Sequence, residues 1–235
     1  MFQVVFSPEN HIDRVIVLTE QQKEDILQVR ATQNIHVIPH AVPYVVPSAP
    51  PADCDPYEIL FVGRLVQDKQ PHKALDVLEQ VLKTVPQATL HIYGKGPLEE
   101  ELKARAAAAM GPSVVFHGYC QNMQPVFASA AVMLQTSLRE GFPLVIIESL
   151  SSGCPVAAFD CKYGPAAMIE NGVNGFLVPQ GDCTALAGRI TALLQNRQLR
   201  DDLSARAKAG VQRFSQPVVA AQWAELLLDR SAGFS

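Results

Sequence analysis

Residues 58–94, EILFVGRLVQDKQPHKALDVLEQVLKTVPQATLHIYG, decide the fold. Glu58-Ile59-Leu60-Phe61-Val62 is an apolar run of strand length closed by Gly63, and Thr89-Leu90-His91-Ile92-Tyr93 is a second, closed by Gly94. Between them Leu75, Leu78, Val81 and Leu82 recur at helical spacing, which predicts a helix from about Pro71 to Val85. The alternation continues outward. A helix is expected over 97–110, strands at Val114-Val115-Phe116, Val132-Met133-Leu134, Val156-Ala157-Ala158-Phe159 and Gly175-Phe176-Leu177-Val178, helices near 123–130 and 144–152, and three helices after the last strand. Short apolar strands alternating with helices give an α/β, Rossmann-like domain whose parallel sheet is covered on both faces. Such sheets bind ligands at the carboxyl ends of their strands, so the loops starting at Gly63, Gly94, His117, Thr136 and Asp160 are where function is expected.

Toward the N-terminus the pattern thins. Residues 14–18 and 35–39 read as short strands around a helix over 20–30, with Thr19 as N-cap and Gln22 completing a capping box. Pro43, Pro47, Pro50, Pro51 and Pro56 then fall within fourteen residues, a density that favours an extended linker. The division expected is a remnant of a preceding domain at 1–45, a linker at 46–57 and a main domain at 58–230. Val15, Val17, Ile26 and Ile38 are too few for a core, so they are expected to be poorly ordered or to be buried against a second copy or a partner chain.

Of 235 residues, 48% are hydrophobic and the net charge is −4, enough apolar material for a full core. No block of Lys and Arg stands out, which argues against nucleic acid or an anionic membrane surface. No apolar run approaches the ~20 residues a bilayer span requires. The start, Met1 to Pro8, lacks the basic and apolar regions of a signal peptide. Cys54, Cys120, Cys154, Cys161 and Cys183 are odd in number and form no C-x-x-C pair, so reduced, mostly buried thiols and a cytoplasmic location are expected.

The chemistry concentrates in Glu140-Gly141-Phe142-Pro143-Leu144-Val145-Ile146-Ile147-Glu148. This stretch follows a strand and opens a helix. Pro143 suits a first helical turn, and Gly141 lets a ligand approach the backbone. The free amides of that turn make an anion site. The two carboxylates lie about 8–9 Å apart along the helix, so a ligand touching both must be long, as a sugar joined to ribose through a pyrophosphate is.

Two glutamates separated by seven residues, with Gly-Phe-Pro after the first and Ser-x-x-x-Gly-Cys-Pro-Val after the second, resemble the E-x7-E signature of family 4 retaining glycosyltransferases. Gly63-Arg64-Leu65 with Lys69 resembles that family's Gly-Arg-Leu-x-x-x-Lys stretch, and Tyr93-Gly94-Lys95-Gly96-Pro97-Leu98 its Gly-x-Gly-Pro loop. His117-Gly118-Tyr119 and Asn174 to Val178 also match in order, and the likeness covers about residues 12 to 228. It implies the C-terminal domain of a GT-B fold, with the acceptor site on an N-terminal domain of which little precedes Pro43. It implies transfer of a hexose from a nucleotide diphosphate sugar, UDP-glucose or UDP-N-acetylglucosamine, with retention and without a metal cofactor. In the implied roles Glu140 binds the transferred sugar, Glu148 the ribose, Arg64 and Lys69 the pyrophosphate with the backbone of Gly141, Phe142, Pro143 and Leu144 nearby, and Gly63, Lys95 and Tyr119 border the nucleoside. Lys162-Tyr163-Gly164-Pro165 resembles the subgroup that glycosylates teichoic acid poly(glycerol phosphate) or serine-rich adhesins, so the implied acceptor is a polyol-phosphate polymer, a glycan or a protein.

Other signals are weaker. Asp53-Cys54-Asp55 resembles a D-x-D metal site but lies in the linker with no strand before it. His36 and His40 are separated by Pro39, which breaks any shared helix. Gly94-Lys95-Gly96 lacks the third glycine of a dinucleotide fingerprint. His91 reads as a packed strand residue. Two other readings stand beside the transferase: a nucleotide-sugar-binding fragment that is inert alone, and a sugar-nucleotide epimerase, against which the Gly-Phe-Pro element argues. The chain by itself is expected to be inactive or weakly active.

Overall fold

The computed structural model describes residues 14–29, 34–42 and 54–228. The first elements are β1 (Val15–Val17), α1 (Glu20–Val29) and β2 (Ile35–Val37), with β1 and β2 parallel and Val15 opposite Ile35. Thr19 Oγ1 accepts the Gln22 N–H at 3.2 Å, while Gln22 Oε1 accepts the N–H of Leu18 at 2.8 Å, so the capping box closes one residue earlier than the usual pairing.

Val17, Ile26 and Ile38 are buried inside the chain and Val15 partly so, contrary to the expectation of disorder or an outside partner, while Ile16, Leu27 and Val29 stay exposed. Val17, Ile26 and Ile35 pack on one another, with Val15 partly buried against them. Ile38 packs under Val219 and Leu226 of the last helix, and Val42 N–H donates to the Phe214 carbonyl at 2.8 Å. The physical reason is that the C-terminal helix returns across this unit, which the sequence pattern does not reveal.

Most of the proline-rich stretch, including Pro43, Pro47, Pro50, Pro51 and Asp53 of the D-x-D, lies outside the described residues. The first strand of the main sheet begins at Asp55, so Asp55, Pro56 and Tyr57 are strand rather than linker. A proline is tolerated there because the pairing with the neighbouring strand shifts register between Asp55 and Ile59.

The remaining elements follow in alternation: β3 (Asp55–Val62), α2 (Pro71–Leu82), β4 (Thr89–Tyr93), α3 (Glu99–Ala109), β5 (Val114–Gly118), α4 (Gln124–Ser129), β6 (Ala130–Gln135), α5 (Leu144–Ser151), β7 (Val156–Phe159), α6 (Pro165–Met168), β8 (Gly175–Val178), α7 (Cys183–Gln195), α8 (Arg197–Gly210) and α9 (Gln216–Leu228). The four-residue α6 is absent from the sequence reading, since one turn is too short to display a period. β3 to β8 form one six-stranded parallel sheet in the order β5-β4-β3-β6-β7-β8. This is the doubly wound Rossmann order, with the switch point between β3 and β6.

Alternate residues feed the two faces. Ile59, Phe61, Leu90 and Ile92 pack with Leu75 and Leu78 of α2, Leu102 of α3 and Ile190 of α7. Leu60, Met133 and Val156 pack on the other face with Phe127 of α4, Ile147 of α5 and Ala207 of α8. Only Cys154 and Cys161 of the cysteines are buried, and burial pushes both thiols up to about 12; Cys54 is exposed, so the expectation of mostly buried thiols fails.

The carboxyl edge of the sheet is stitched together by its glycine loops. Gly63 N–H donates to Tyr93 O at 2.9 Å, Gly94 N–H to Gly118 O at 2.7 Å and Leu65 N–H to Lys95 O at 3.0 Å. Gly94 has φ +143, and a Cβ there would stand 1.9 Å from Gly63 O, whereas one at Gly141 would meet nothing within 4 Å. Gly94→Ala is therefore expected to destabilise by roughly 2 kcal/mol or more, and Gly141→Ala by less than about 0.5 kcal/mol. Urea denaturation of the two variants checks this, and equal losses would contradict it.

Candidate functional site

The loops that leave β3 and β6 at the switch point are laced to each other. Lys69 ends a 3-10 turn over Gln67–Lys69, and the next residue, Gln70, has φ 45. A left-handed glutamine is strained, and Thr136, fully buried, holds it by donating to the carbonyls of Lys69 and Gln70, each at 3.0 Å. Leu138 N–H donates to Asp68 O at 2.8 Å.

This lacing brings Lys69 and Glu140 together. Lys69 Nζ lies 2.5 Å from Glu140 Oε1, to which Ser137 Oγ donates at 2.6 Å and Gln135 Nε2 at 2.7 Å. Three donors thus converge on one oxygen of a side chain only 8% exposed. Among the described residues all three donors reach Oε1 rather than Oε2.

Two cavities meet here. One, of about 620 Å³, is lined by Arg64, Lys69, Arg139, Lys162, Asp68 and Glu140 among others, which leaves it net positive. The other, of about 730 Å³, is lined by Gly63, Arg64, Tyr93, Lys95, Tyr119, Cys120 and Glu148 among others. Arg64 lines both. Burial raises the Glu148 carboxyl above its ordinary range. Tyr119 is 75% exposed, a large ring at the open mouth of the second cavity. Pro143 is the N-cap of α5 rather than its first residue; no side chain caps the helix, and the Ile146 N–H donates to the Pro143 carbonyl at 2.9 Å.

The expected site residues therefore separate. Glu140, Arg64, Lys69 and Gly141 line the first cavity, and Glu148, Gly63, Lys95 and Tyr119 the second, with Arg64 between. Phe142 turns its ring away, edge-on to His40 at 5.6 Å and to Phe214 at 5.8 Å, and borders a third cavity of about 920 Å³ shared with α1. Leu144 is 40% exposed and lines none of the three. Gln135, Thr136 and Ser137 were not singled out as site residues from sequence. Their signal is a polar triplet that ends an otherwise apolar strand at Gln135 and opens the loop after it. Lys162 and Tyr163 also line the first cavity.

Beside the second cavity, His91 Nδ1 lies 3.2 Å from Glu58 and 3.1 Å from His117 Nε2, and the His117 ring stacks on Tyr93 at 4.3 Å. Burial lowers the pKa of both histidines. Among the described residues no three His, Cys, Asp or Glu side chains gather as a metal site, and Asp55 Oδ1 accepts the Tyr57 N–H at 2.8 Å.

The chain resembles known proteins in sequence and in fold. The family described as Glycosyl transferases group 1 matches residues 47–210. The poly(glycerol-phosphate) alpha-glucosyltransferase of Bacillus subtilis is 28% identical over 226 residues, covering 95% of this chain and 34% of that protein. A structure of Staphylococcus aureus TarM in complex with fondaparinux, alpha-GlcNAc-glycerol and UDP superposes with a TM-score of 0.86 at 29% identity, covering 93% of this chain and 44% of that one. The GtfA/B complex gives 0.84 at 26% identity, covering 96% and 47%. The chain thus spans less than half the length of each of these.

Removing the cation from Glu140 tests the network. Lys69→Met is expected to cost about 1–3 kcal/mol by leaving an ionised, nearly buried acceptor short of its charged donor. Adding Glu140→Gln is expected to restore at least half of that loss. A double-mutant cycle from urea denaturation measures the coupling, and a value under about 0.3 kcal/mol would make the pair an ordinary surface contact.

Proposed function

We propose, from the premise that this chain belongs to the glycosyl transferases group 1 family, that it is the donor-binding domain of a family 4, retaining hexosyltransferase of GT-B architecture. The observation that carries this reading is the pair of cavities joined at Arg64, with Glu140 in one and Glu148 in the other. A nucleotide diphosphate sugar has the matching parts in the matching order. Its hexose hydroxyls meet Glu140 Oε2, its diphosphate meets Arg64, Lys69 and the first amides of α5, its ribose meets Glu148, and its base lies between Lys95 and Tyr119.

The chemistry supports this arrangement. As the glycosidic bond breaks, the departing nucleoside diphosphate gains negative charge. Two cations and a helix N-terminus stabilise that charge as it develops. Because these groups already offset the charge, no metal ion is required in this reading. Retention rests on the family 4 resemblance, and the donor is UDP-glucose or UDP-N-acetylglucosamine. The acceptor is a hydroxyl of a polyol-phosphate polymer, a glycan or a protein; the Bacillus subtilis relative is named for glucosyl transfer to poly(glycerol phosphate).

In this reading residues 1–45 belong with an acceptor-binding domain, 46–57 link the two and 58–230 hold the donor. Holding acceptor and donor in reacting geometry is worth about 7–11 kcal/mol of barrier. The chain spans 34% of the Bacillus subtilis relative, so transfer by it alone is slow in this reading, and a partner or second copy could supply the acceptor side.

Calorimetry tests the donor assignment. UDP is expected to bind without added metal and to bind equally in EDTA. Glu148→Ala is expected to weaken UDP itself by about tenfold to a hundredfold, the worth of a hydrogen bond to a charged group. Glu140→Ala is expected to spare UDP and abolish the preference for the UDP-sugar. Equal effects of both substitutions on UDP would reject the two roles.

A further inference from the structure

Three contacts join α1 to the two loops that flank Glu140. Asp25 accepts from Lys162 Nζ at 2.6 Å and from the Tyr163 hydroxyl. Gln22 Nε2 donates to the Gly141 carbonyl at 3.0 Å. Lys162 and Tyr163 lie in the loop after β7 and line the cavity that contains Glu140. The same loop grips Glu140 through the main chain, because the Glu140 N–H donates to the Lys162 carbonyl at 3.2 Å. Its next residue, Gly164, has φ +86 and presses so closely on Pro143 that a Cβ would stand 2.3 Å from Pro143 Cδ. The loop that Asp25 anchors therefore fixes the Glu140 backbone and abuts the residue that opens α5.

The anchor joins separate parts of the fold. Asp25 and Tyr163 are 138 positions apart, and α1 belongs to the two-stranded β1–β2 unit, outside the six-stranded sheet. The Asp25 side chain is only 21% exposed. Lys162, then Tyr163, hold its carboxyl below the usual carboxylate range, so it is ionised at neutral pH and accepts from both.

We propose that Asp25 is a positioning residue for the sugar end of the donor site, tying the β1–α1–β2 unit to the loop beneath Glu140 so that this end takes its binding shape only while α1 is docked. The inference rests on the donor-binding reading above. Its consequence is a division of labour. Release of α1 loosens recognition of the hexose at Glu140, while Arg64, Lys69 and Glu148, which α1 does not touch through Asp25, keep hold of the nucleoside diphosphate. Movement of the N-terminal unit would thereby be felt as sugar selectivity rather than as nucleotide affinity.

The test uses the whole chain with Asp25→Ala, Asp25→Asn and Tyr163→Phe. Asn retains an oxygen that can accept from Lys162 and Tyr163, so it serves as the conservative rescue. In the ligand-free protein, amide hydrogen exchange over residues 137–143 is expected to quicken in Asp25→Ala and to stay close to wild type in Asp25→Asn. Unchanged exchange in Asp25→Ala overturns the inference whatever the ligand. In calorimetry, Asp25→Ala is expected to bind UDP within about twofold of wild type and to lose about tenfold of the advantage of UDP-glucose or UDP-N-acetylglucosamine over UDP, within the range that coupling through a positioning network supplies. Tyr163→Phe is expected to lose part of that advantage. Equal loss for UDP and UDP-sugar in Asp25→Ala would make Asp25 a support of the fold at large and overturn its role at the sugar. If the wild-type chain binds neither UDP nor a UDP-sugar, the donor reading fails, and the ligand-free exchange still decides whether Asp25 orders the Glu140 loop.

Discussion

The contact between Lys69 and Glu140 depends on one topological fact. β3 and β6 are neighbours at the centre of the sheet although α2, β4, α3, β5 and α4 separate them in sequence. Their loops leave the same edge, and residues 71 positions apart are brought to 2.5 Å. An ionised carboxylate that is 8% exposed would be costly without compensation. Lys69, Ser137 and Gln135 provide it, and all three act on the same oxygen. One oxygen of Glu140 thus carries the network that holds the two loops together. Thr136 sets the lysine side of the contact by holding the strained Gln70 beside it.

The rest of the carboxyl edge follows the same logic. Parallel strands bring the loops after β3, β4 and β5 close together, and backbone hydrogen bonds between Gly63, Tyr93, Gly94 and Gly118 close the gaps. Such packing leaves no room for side chains at the crossing points, which is why Gly94 stands against Gly63. What projects from these loops is then a small set of long side chains: Arg64 at the join of the two cavities, Lys95 and Tyr119 at the second. Glu140 lines one cavity and Glu148 the other, and Arg64 is shared between them.

Much of this was legible in the sequence. Period and punctuation located the strands of the main sheet because buried parallel strands read as short, nearly continuous apolar runs. Thr89–Tyr93, Val156–Phe159 and Gly175–Val178 have the bounds expected of them. Glu140, Lys69 and Arg64 were singled out by spacing and resemblance, and they do line one cavity. Less was legible where the determining contact is distant. The burial of Ile38 depends on α9, some 180 residues later, and Phe142 turns toward His40 and Phe214 because those rings offer an apolar slot. The Glu140 network needed the conformation of Gln135 and Ser137, whose residue types suggest polarity but not direction. Asp25 carried no local signal at all, since a carboxylate on an amphipathic helix reads as a solvated surface group.

In the proposed function one extended ligand occupies both cavities, with its diphosphate at Arg64 and the start of α5. A crystal structure of the chain with UDP-glucose or UDP-N-acetylglucosamine measures this directly. The diphosphate is expected within hydrogen-bond reach of Arg64 and Lys69, the ribose at Glu148 and the hexose at Glu140 Oε2. A nucleotide bound elsewhere, such as in the cavity beside Phe142 and α1, or bound in reverse with its base at Glu140, would contradict it.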